Sequence, residues 1–353
     1  MKRRSFLKAV GGTVGTSALS VPVLTSSDDA VESSDETRVE GLPRRVLGRT
    51  GLKVSVVGFP GLALVHDEQS RCTEALHDAF ERGVNYFDVA PAYGKGDAEI
   101  KMGIGLQGLD RSKYYLACKT KMRDKQGARE ELERSLDRLK TDHFDVYQMH
   151  CLIKPEEVQE ALGPGGALET MLEAKEQGKV KHLGFSAHTT KAALAAMKGF
   201  QFDTVMFPVN FVEYHTFGFA KQVIELAKEQ GAAVLAIKPM CGGSWPEGVE
   251  RTRRWWYRPL EDDKDIALAM RFTLSLDNVV MGVPPAFLDL LDKALDVPNL
   301  DTSVTDEEKE QVRKMALARE SLFRDRQVAM RADGSVDVAS EDNPYEGCPG
   351  MYA

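Results

Sequence analysis

The segment NYFDVAPAYG, residues 85–94, is the part of the sequence from which the fold can be predicted first. Its apolar run contains Asp88 and predicts a short buried strand, while Pro91 and Gly94 predict that the chain then enters a loop. Asp88 and Tyr93 therefore lie at or just beyond the carboxyl end of a strand. In parallel α/β sheets and barrels this end carries the chemistry, because the loops there converge on one mouth.

Two later segments end in the same way. YYLACK, residues 114–119, closes on Lys119, and FDVYQMH, residues 144–150, closes on His150. Lys119 lies 31 residues after Asp88 and 31 residues before His150, about the length of one strand, one loop and one amphipathic helix in a repeating βα unit. We therefore expect four polar groups at one end of one sheet.

In their order and spacing, Asp88, Tyr93, Lys119 and His150 resemble the catalytic tetrad of the aldo-keto reductase family. The resemblance implies that Tyr93 is the general acid of a carbonyl reduction. A phenol with a pKa of about 10 is a poor acid, and a neighbouring ammonium such as Lys119 lowers that value. Asp88 would fix the lysine, and His150 would orient the carbonyl oxygen or share in the proton transfer.

The same alternation continues along the chain. Strand ends are predicted near Phe59, Asp88, Lys119, His150, Ser186, Pro208, Lys238 and Gly282. Helical patterns fill most of the gaps, at residues 69–82, 127–139, 166–177, 191–197, 220–230, 264–276 and 287–295. This pattern predicts a single-domain (β/α)8 TIM barrel. An open doubly wound sheet is the alternative, which is disfavoured because no G-x-G-x-x-G follows the first strand.

The barrel is predicted to occupy residues 41–333, between two segments of different character. An N-terminal hairpin should turn at Gly48 to Gly51, and a capping box at Thr305 to Glu308 should start one or two C-terminal helices that end near Ala332. Residues 334–353 are predicted to form an irregular tail.

Residues 1–40 are predicted to be a twin-arginine (Tat) signal peptide and a linker. The leader KRRSFLK, residues 2–8, precedes a short, weakly apolar stretch, and residues 26–40 are rich in Ser, Asp and Glu. The stretch is too short and too polar for a stable membrane anchor. We therefore expect the Tat export machinery as a partner, and a periplasmic or otherwise exported protein.

Composition limits the remaining classes of function. The 353 residues are 42% hydrophobic and carry a formal net charge of −8, which is ordinary for a soluble α/β protein and argues against binding of nucleic acid. None of the five cysteines has CxxC spacing, so no metal site is predicted, and the odd number argues against a complete disulfide framework.

The resemblance implies NADP or NAD as the cofactor, lying across the barrel mouth. The candidate binding residues are Gly61, Ser186, Met206, Lys238, Met240 and Gly242. The sequence departs from the family pattern at Ala187 and Met206, where an asparagine and a glutamine are common, and residues 282–288 contain no Arg or Lys to hold a 2′-phosphate. Three alternatives follow: NADH serves as well as NADPH, Arg251 or Arg253 supplies the missing charge, or the affinity for the cofactor has fallen too far for catalysis.

Two questions stay open at this stage. Residues 241–259 hold all three tryptophans and form either a helical surface patch or subunit contact, or a lid over the mouth. The protein is either a reductase of a small carbonyl or alcohol, or an exported, non-catalytic binding or scaffold protein of the same fold. Apolar candidates in the substrate site allow an aromatic or a sugar-like ligand: Phe59, Phe211, Trp245 and Trp255.

Overall fold

The computed structural model of the protein describes residues 41–300 and 303–323. Eight parallel strands form one sheet with neighbours in chain order. Backbone hydrogen bonds from Gly58 to Gly282 (3.1 Å) and from Gly282 to Val56 (2.9 Å) join the last strand to the first, so the sheet closes into a barrel and the open alternative is wrong. The strands are β3 Phe59–Pro60, β4 Tyr86–Asp88, β5 Tyr115–Thr120, β6 Phe144–Leu152, β7 Val180–Ala187, β8 Thr204–Pro208, β9 Ala233–Ile237 and β10 Val279–Val283.

The predicted hairpin closes the amino-terminal end of the barrel. Strands β1 (Arg44–Val46) and β2 (Lys53–Ser55) pair antiparallel. Leu47 and Val54 are fully buried in an apolar cluster that they share with Tyr86 and Ala117. The hairpin thus fills the bottom of the barrel and leaves its carboxyl end as the open mouth.

Every helix predicted between the strands is present, and three more occur. The barrel helices are α1 Gln69–Glu81, α3 Lys125–Leu139, α5 Ala167–Glu176, α6 Thr190–Gly199, α8 Lys221–Glu229, α9 Asp263–Ser275 and α10 Leu288–Leu295. The additional helices are α2 Asp97–Gly105, α4 Pro155–Leu162 and α7 Phe211–Phe217. Asn210 caps the amino terminus of helix α7, because its side chain accepts a hydrogen bond from the Glu213 N–H at 3.1 Å.

One C-terminal helix, α11 (Asp306–Leu317), follows the barrel. The capping box is confirmed, because the N–H groups of Glu308 and Thr305 each donate to the other residue's side chain. The predicted continuation to Ala332, the irregular tail at 334–353 and the Tat signal and linker at 1–40 lie outside the described residues.

The segment between β9 and α9 is not helical, so its interpretation as a helical patch is wrong. Antiparallel pairing of Cys241 with Pro259 closes the base of this loop. Gly242 donates to the Arg258 carbonyl at 2.8 Å, and Arg258 donates to the Gly243 carbonyl at 3.0 Å. Backbone pairing at its base therefore holds this loop to the barrel. Its role in a subunit contact stays a prediction.

Three findings apply to the described part of the chain. None of its helices is long and apolar enough to cross a membrane. No group of three or more His, Cys, Asp or Glu side chains is arranged to hold a metal ion. Its four cysteines are buried and have free thiols: Cys72, Cys118, Cys151 and Cys241.

Candidate active site

A cavity opens at the carboxyl ends of the strands and encloses about 630 Å³, its open mouth included. The four tetrad residues, which come from three strands and one loop, all line it. Outside the 241–259 segment, the polar lining consists of Asp88, Tyr93, Lys119, His150, Ser186, His188 and Lys238. A largely apolar concave site with a few convergent polar groups is typical of a small-molecule site.

Lys119 organises the tetrad. Its side chain is fully buried, and its ammonium donates to the Asp88 carboxylate, to the Val89 carbonyl at 3.1 Å and to the Tyr93 hydroxyl at 3.3 Å. These three acceptors use all three ammonium hydrogens. Because the Tyr93 oxygen accepts a hydrogen bond from Lys119, the phenol is arranged to act as a donor toward the cavity.

Burial and the neighbouring side chains shift the pKa of the Asp88 carboxyl in opposite directions. Loss of water raises the pKa of the Asp88 carboxyl, while the Lys119 ammonium and a hydrogen bond from Gln148 act to lower it. The Gln148 amide lies 3.4 Å from the second carboxylate oxygen. The carboxylate is thus held between a cation and an amide, which fixes the position of Lys119.

Close packing of the backbone sets the place of Tyr93. A Cβ atom on Gly61 would lie 2.2 Å from the Asp88 carbonyl oxygen, so only glycine fits beside β4. Directly after Tyr93, Gly94, Lys95 and Gly96 have φ values of 58°, 56° and 98°, in the left-handed region that glycine adopts at low cost. This turn starts α2 and leaves Tyr93 pointing back over the mouth.

His150 lies against Tyr93 with the two rings 5.5 Å apart and nearly perpendicular. Burial, followed by the positive charges of Lys119, Lys121 and other cations, lowers the pKa of His150 well below its ordinary value. The imidazole is therefore neutral at neutral pH. A neutral ring donates one hydrogen bond, which suits the orientation of a carbonyl oxygen.

Ser186 supports the strand end that carries His150. Its hydroxyl accepts a hydrogen bond from the Cys151 N–H at 2.7 Å, at a residue whose φ is 60°. The register of β6 with β7 is irregular at this point. Ser186 thus stabilises a bulge beside His150 as well as lining the cavity.

The predicted cofactor residues divide into two groups. Gly61, Ser186, Met206 and Lys238 line the cavity, whereas Met240 and Gly242 do not. Met240 is fully buried, and the Gly242 N–H is bonded to a carbonyl at the base of the 241–259 loop. The Met240 carbonyl accepts a hydrogen bond from the Leu260 N–H at 2.8 Å, so both residues bond to the loop's own backbone, because the chain folds back on itself after Lys238.

Aromatic side chains from the 241–259 loop form one wall of the cavity: Trp255, Trp256 and Tyr257. The Lys238 ammonium lies 5.3 Å from the centre of the Trp256 ring, a cation–π distance. This arrangement agrees with the lid interpretation. Of the apolar substrate candidates, Trp255 lines the cavity, whereas Phe59 and Phe211 are fully buried in the core and Trp245 does not line it.

His188 is a cavity residue that the sequence analysis did not single out. It is buried, and burial together with the charge of Lys238 lowers its pKa well below the ordinary value. It lies directly after β7, and His150 lies close to the end of β6, so the rule that strand-end polar residues converge at the mouth could have identified it.

Arg253, one of the two cations suggested for binding a 2′-phosphate, already forms ion pairs within the protein. Arg253 contacts Glu261 at 3.0 Å, makes a two-pronged ion pair with Asp289 and lies over the ring of Phe287. Arg251 lies 3.4 Å from the Trp255 carbonyl oxygen. Beyond β10, a 2′-phosphate would therefore meet the Arg253 guanidinium already neutralised, with the Asp289 carboxylate beside it.

A closed eight-stranded α/β barrel thus brings Asp88, Tyr93, Lys119 and His150 together at its mouth. The family model that matches is that of the aldo/keto reductase family, over residues 65–284. The chain belongs to this family.

Individual known proteins are similar to this chain in sequence or in fold. An uncharacterised oxidoreductase of Bacillus subtilis is 26% identical over 212 residues, covering 57% of this chain and 65% of the relative. The L-galactose dehydrogenase of Arabidopsis thaliana is 38% identical over 122 residues, covering 30% of this chain and 37% of the relative. The chain thus spans less than two thirds of these curated relatives. An aldo-keto reductase of Bacillus halodurans, solved in its holo form, shares the fold with a TM-score of 0.63 at 23% identity, covering 78% of this chain and 96% of that one.

Proposed function

We propose that the protein is an oxidoreductase that transfers hydride between a nicotinamide dinucleotide and a small carbonyl or alcohol. The observation that carries the proposal is the shared lysine, whose ammonium donates to both Asp88 and Tyr93 at the cavity wall. A buried ion pair by itself adds little stability. A protein that only binds ligands would therefore gain little from keeping Lys119 between Asp88 and Tyr93. The geometry therefore favours catalysis over a scaffold role.

The residues divide the work as follows. Tyr93 donates its proton to the carbonyl oxygen as the alcohol forms, and Lys119 stabilises the phenolate that remains. Asp88 holds Lys119 in place, and neutral His150 donates a hydrogen bond that orients the same oxygen. In the reverse direction the Tyr93 phenolate accepts the proton of the alcohol.

The residues at the mouth suit a dinucleotide. Lys238 brings a cation to the cavity wall, and Ser186 and Gly61 bring a hydroxyl and a close backbone approach. Asp88 is the one carboxylate in the described lining, and Lys119 neutralises it. When bound, the nicotinamide supplies the hydride. Lys238 would hold its pyrophosphate, and Ser186, Gly61 and Met206 would flank the nicotinamide.

The test is a titration of the purified protein with NADH and NADPH, followed by turnover of a panel of aldehydes. Tyr93→Phe should retain cofactor binding and lose about 10²- to 10⁴-fold in kcat, the usual share of general acid catalysis. Tyr86→Phe is the matched control, because the buried Tyr86 hydroxyl has no hydrogen-bond partner among the described residues. Failure to bind either dinucleotide would contradict the proposal and favour a binding role.

Export by the Tat pathway remains part of the proposal, supported by the KRRSFLK leader. Because the Tat route carries folded proteins and free dinucleotides are scarce outside the cytoplasm, the cofactor would be loaded before export and retained. Fractionation of cells that express the wild type and an Arg3→Lys/Arg4→Lys variant tests this. Equal distribution of both proteins would contradict export by this route.

A further inference from the structure

We propose that the substrate carries a carboxylate, and that Lys121 binds it. The inference rests on the proposed reductase function and names its substrate class. Lys121 follows Lys119 by two residues at the carboxyl end of β5. Side chains alternate along a strand, and Ala117 packs inside the barrel while Lys119 reaches Asp88 across its interior. Lys121 therefore falls on the same side, one step higher at the mouth.

The backbone of Lys121 is fixed from both sides. Its N–H donates to the buried carboxylate of Glu131 at 2.8 Å, and its carbonyl accepts a hydrogen bond from Arg123 at 3.2 Å. Glu131 also accepts from the Thr120 hydroxyl at 2.7 Å. The position from which the side chain extends is thus defined by the fold.

Lys121 is not among the residues that line the cavity, but its positive charge acts on two histidines that do line it. It contributes to the lowered pKa values of both His150 and His188, so the ammonium lies near the two cavity histidines. Within residues 41–300 and 303–323, no hydrogen bond or ion pair satisfies this ammonium. A cation without a partner at the entrance of a concave site attracts an anion.

The neighbouring carboxylates are already engaged. Asp88 is paired with Lys119, and Glu131 accepts hydrogen bonds from Thr120 and from the Lys121 backbone. Glu157 accepts from the N–H groups of Ile153 and Lys154 and lies 3.8 Å from Arg123. None of these described acids forms an ion pair with the Lys121 side chain, so its ammonium is available to an anionic ligand.

The phosphates of the dinucleotide are the competing source of negative charge, and the strand order separates them from Lys121. Lys238 follows β9, and Lys121 follows β5, four strands away in a closed barrel of eight. The two lysines therefore stand on opposite sides of the mouth. His150 and His188, at the ends of β6 and β7, lie between Lys121 and the Lys238 side, where a substrate carbonyl would meet Tyr93.

The experiment compares two four-carbon aldehydes, 4-oxobutanoate and butanal, which differ in a terminal carboxylate. We expect the wild-type full chain to prefer 4-oxobutanoate by about 10- to 100-fold in kcat/KM, the range of one hydrogen bond to a charged group. Lys121→Met should lower kcat/KM for 4-oxobutanoate toward the value for butanal and so remove this preference. Lys198→Met, an exposed lysine near the end of α6, makes the same charge change away from the mouth and should alter neither value.

A binding measurement keeps the inference separate from the proposed reaction. Quenching of tryptophan fluorescence, with Trp255 and Trp256 at the cavity wall, should show tighter binding of 4-hydroxybutanoate than of 1-butanol to the wild type, and no difference in Lys121→Met. This result would stand even if neither aldehyde were turned over, which would count against the reductase alone. Equal binding of the two ligands by the wild type would overturn the carboxylate site. A weaker affinity of Lys121→Met for NADH would also overturn it, by assigning the lysine to the cofactor.

Discussion

The Lys119 ammonium lies 3.3 Å from the Tyr93 hydroxyl and at the same time pairs with the Asp88 carboxylate. Lys119 and Asp88 are buried together. An ion pair in such a place is stable only as a pair, because a single charge left behind is poorly solvated. The arrangement proposed for catalysis and the local stability of the barrel mouth therefore depend on the same contact.

Lys119→Met should leave the Asp88 charge without its cation and destabilise the fold by about 3–5 kcal/mol. The double variant Asp88→Asn/Lys119→Met removes both charges and should recover part of this loss. Urea unfolding of the wild type, both single variants and the double variant gives the coupling energy. Additive effects of the two single substitutions would contradict a coupled pair. Activity should fall in all three variants.

Asp289→Ala should improve the use of NADPH. Asp289 and Glu261 neutralise Arg253 in the wild type, so wild-type kcat/KM should be of the same order for NADH and NADPH, or favour NADH. Release of one carboxylate makes the guanidinium available to a 2′-phosphate, and the KM for NADPH should fall by about 10-fold, the worth of one such contact.

Asp263→Ala is the control for this change, because Asp263 is an exposed acid paired with Lys293. It should alter the KM of neither dinucleotide. An unchanged ratio of the two cofactors in Asp289→Ala would show that the 2′ position lies elsewhere.

Glu213 should make stability depend on pH. Burial raises the pKa of its carboxyl from 4.5 to about 7, against hydrogen bonds from the Ser321 hydroxyl and the Leu322 N–H. Because the folded state holds this proton more tightly than the unfolded chain, the contribution to stability is full below about pH 4.5 and is lost as the pH rises through about 7. The loss is at most about 3 kcal/mol.

Thermal unfolding at pH 5 and pH 8.5 of the wild type and of Glu213→Gln measures this effect. The wild type should lose more stability than the variant between the two values, because glutamine has no charge to bury. Parallel pH profiles of the two proteins would rule out titration of Glu213.

Gly61→Ala should lower both stability and activity. The new Cβ would lie 2.2 Å from the Asp88 carbonyl oxygen, so the backbone of β4 must move, at a cost of about 1–3 kcal/mol. That movement shifts Asp88 relative to Lys119 and should reduce kcat. Gly165→Ala, where a Cβ meets no atom within 4 Å but φ is 77°, should cost only conformational strain and keep its kcat.

The sequence identified the tetrad and most of the fold. Asp88, Lys119 and His150 each close an apolar run, and the spacing between them gave the βα repeat from which the barrel follows. It missed α2, which begins directly after the left-handed turn at Gly94 to Gly96. The local hydrophobic pattern of the sequence indicates where a strand ends. The geometry of a turn such as this one depends instead on packing against neighbouring helices and strands.

The sequence by itself determined the periodicity of the chain, the strand ends and the order of the four tetrad residues, because these depend on alternation and spacing within one unit. Only the tertiary structure decided which other residues share the mouth with these four. It placed Trp256 and His188 at the cavity, directed Met240 and Gly242 into the base of a loop, and paired Arg253 with Asp289. The mouth is built from loops far apart in the chain, and their contacts are fixed by the closure of the barrel.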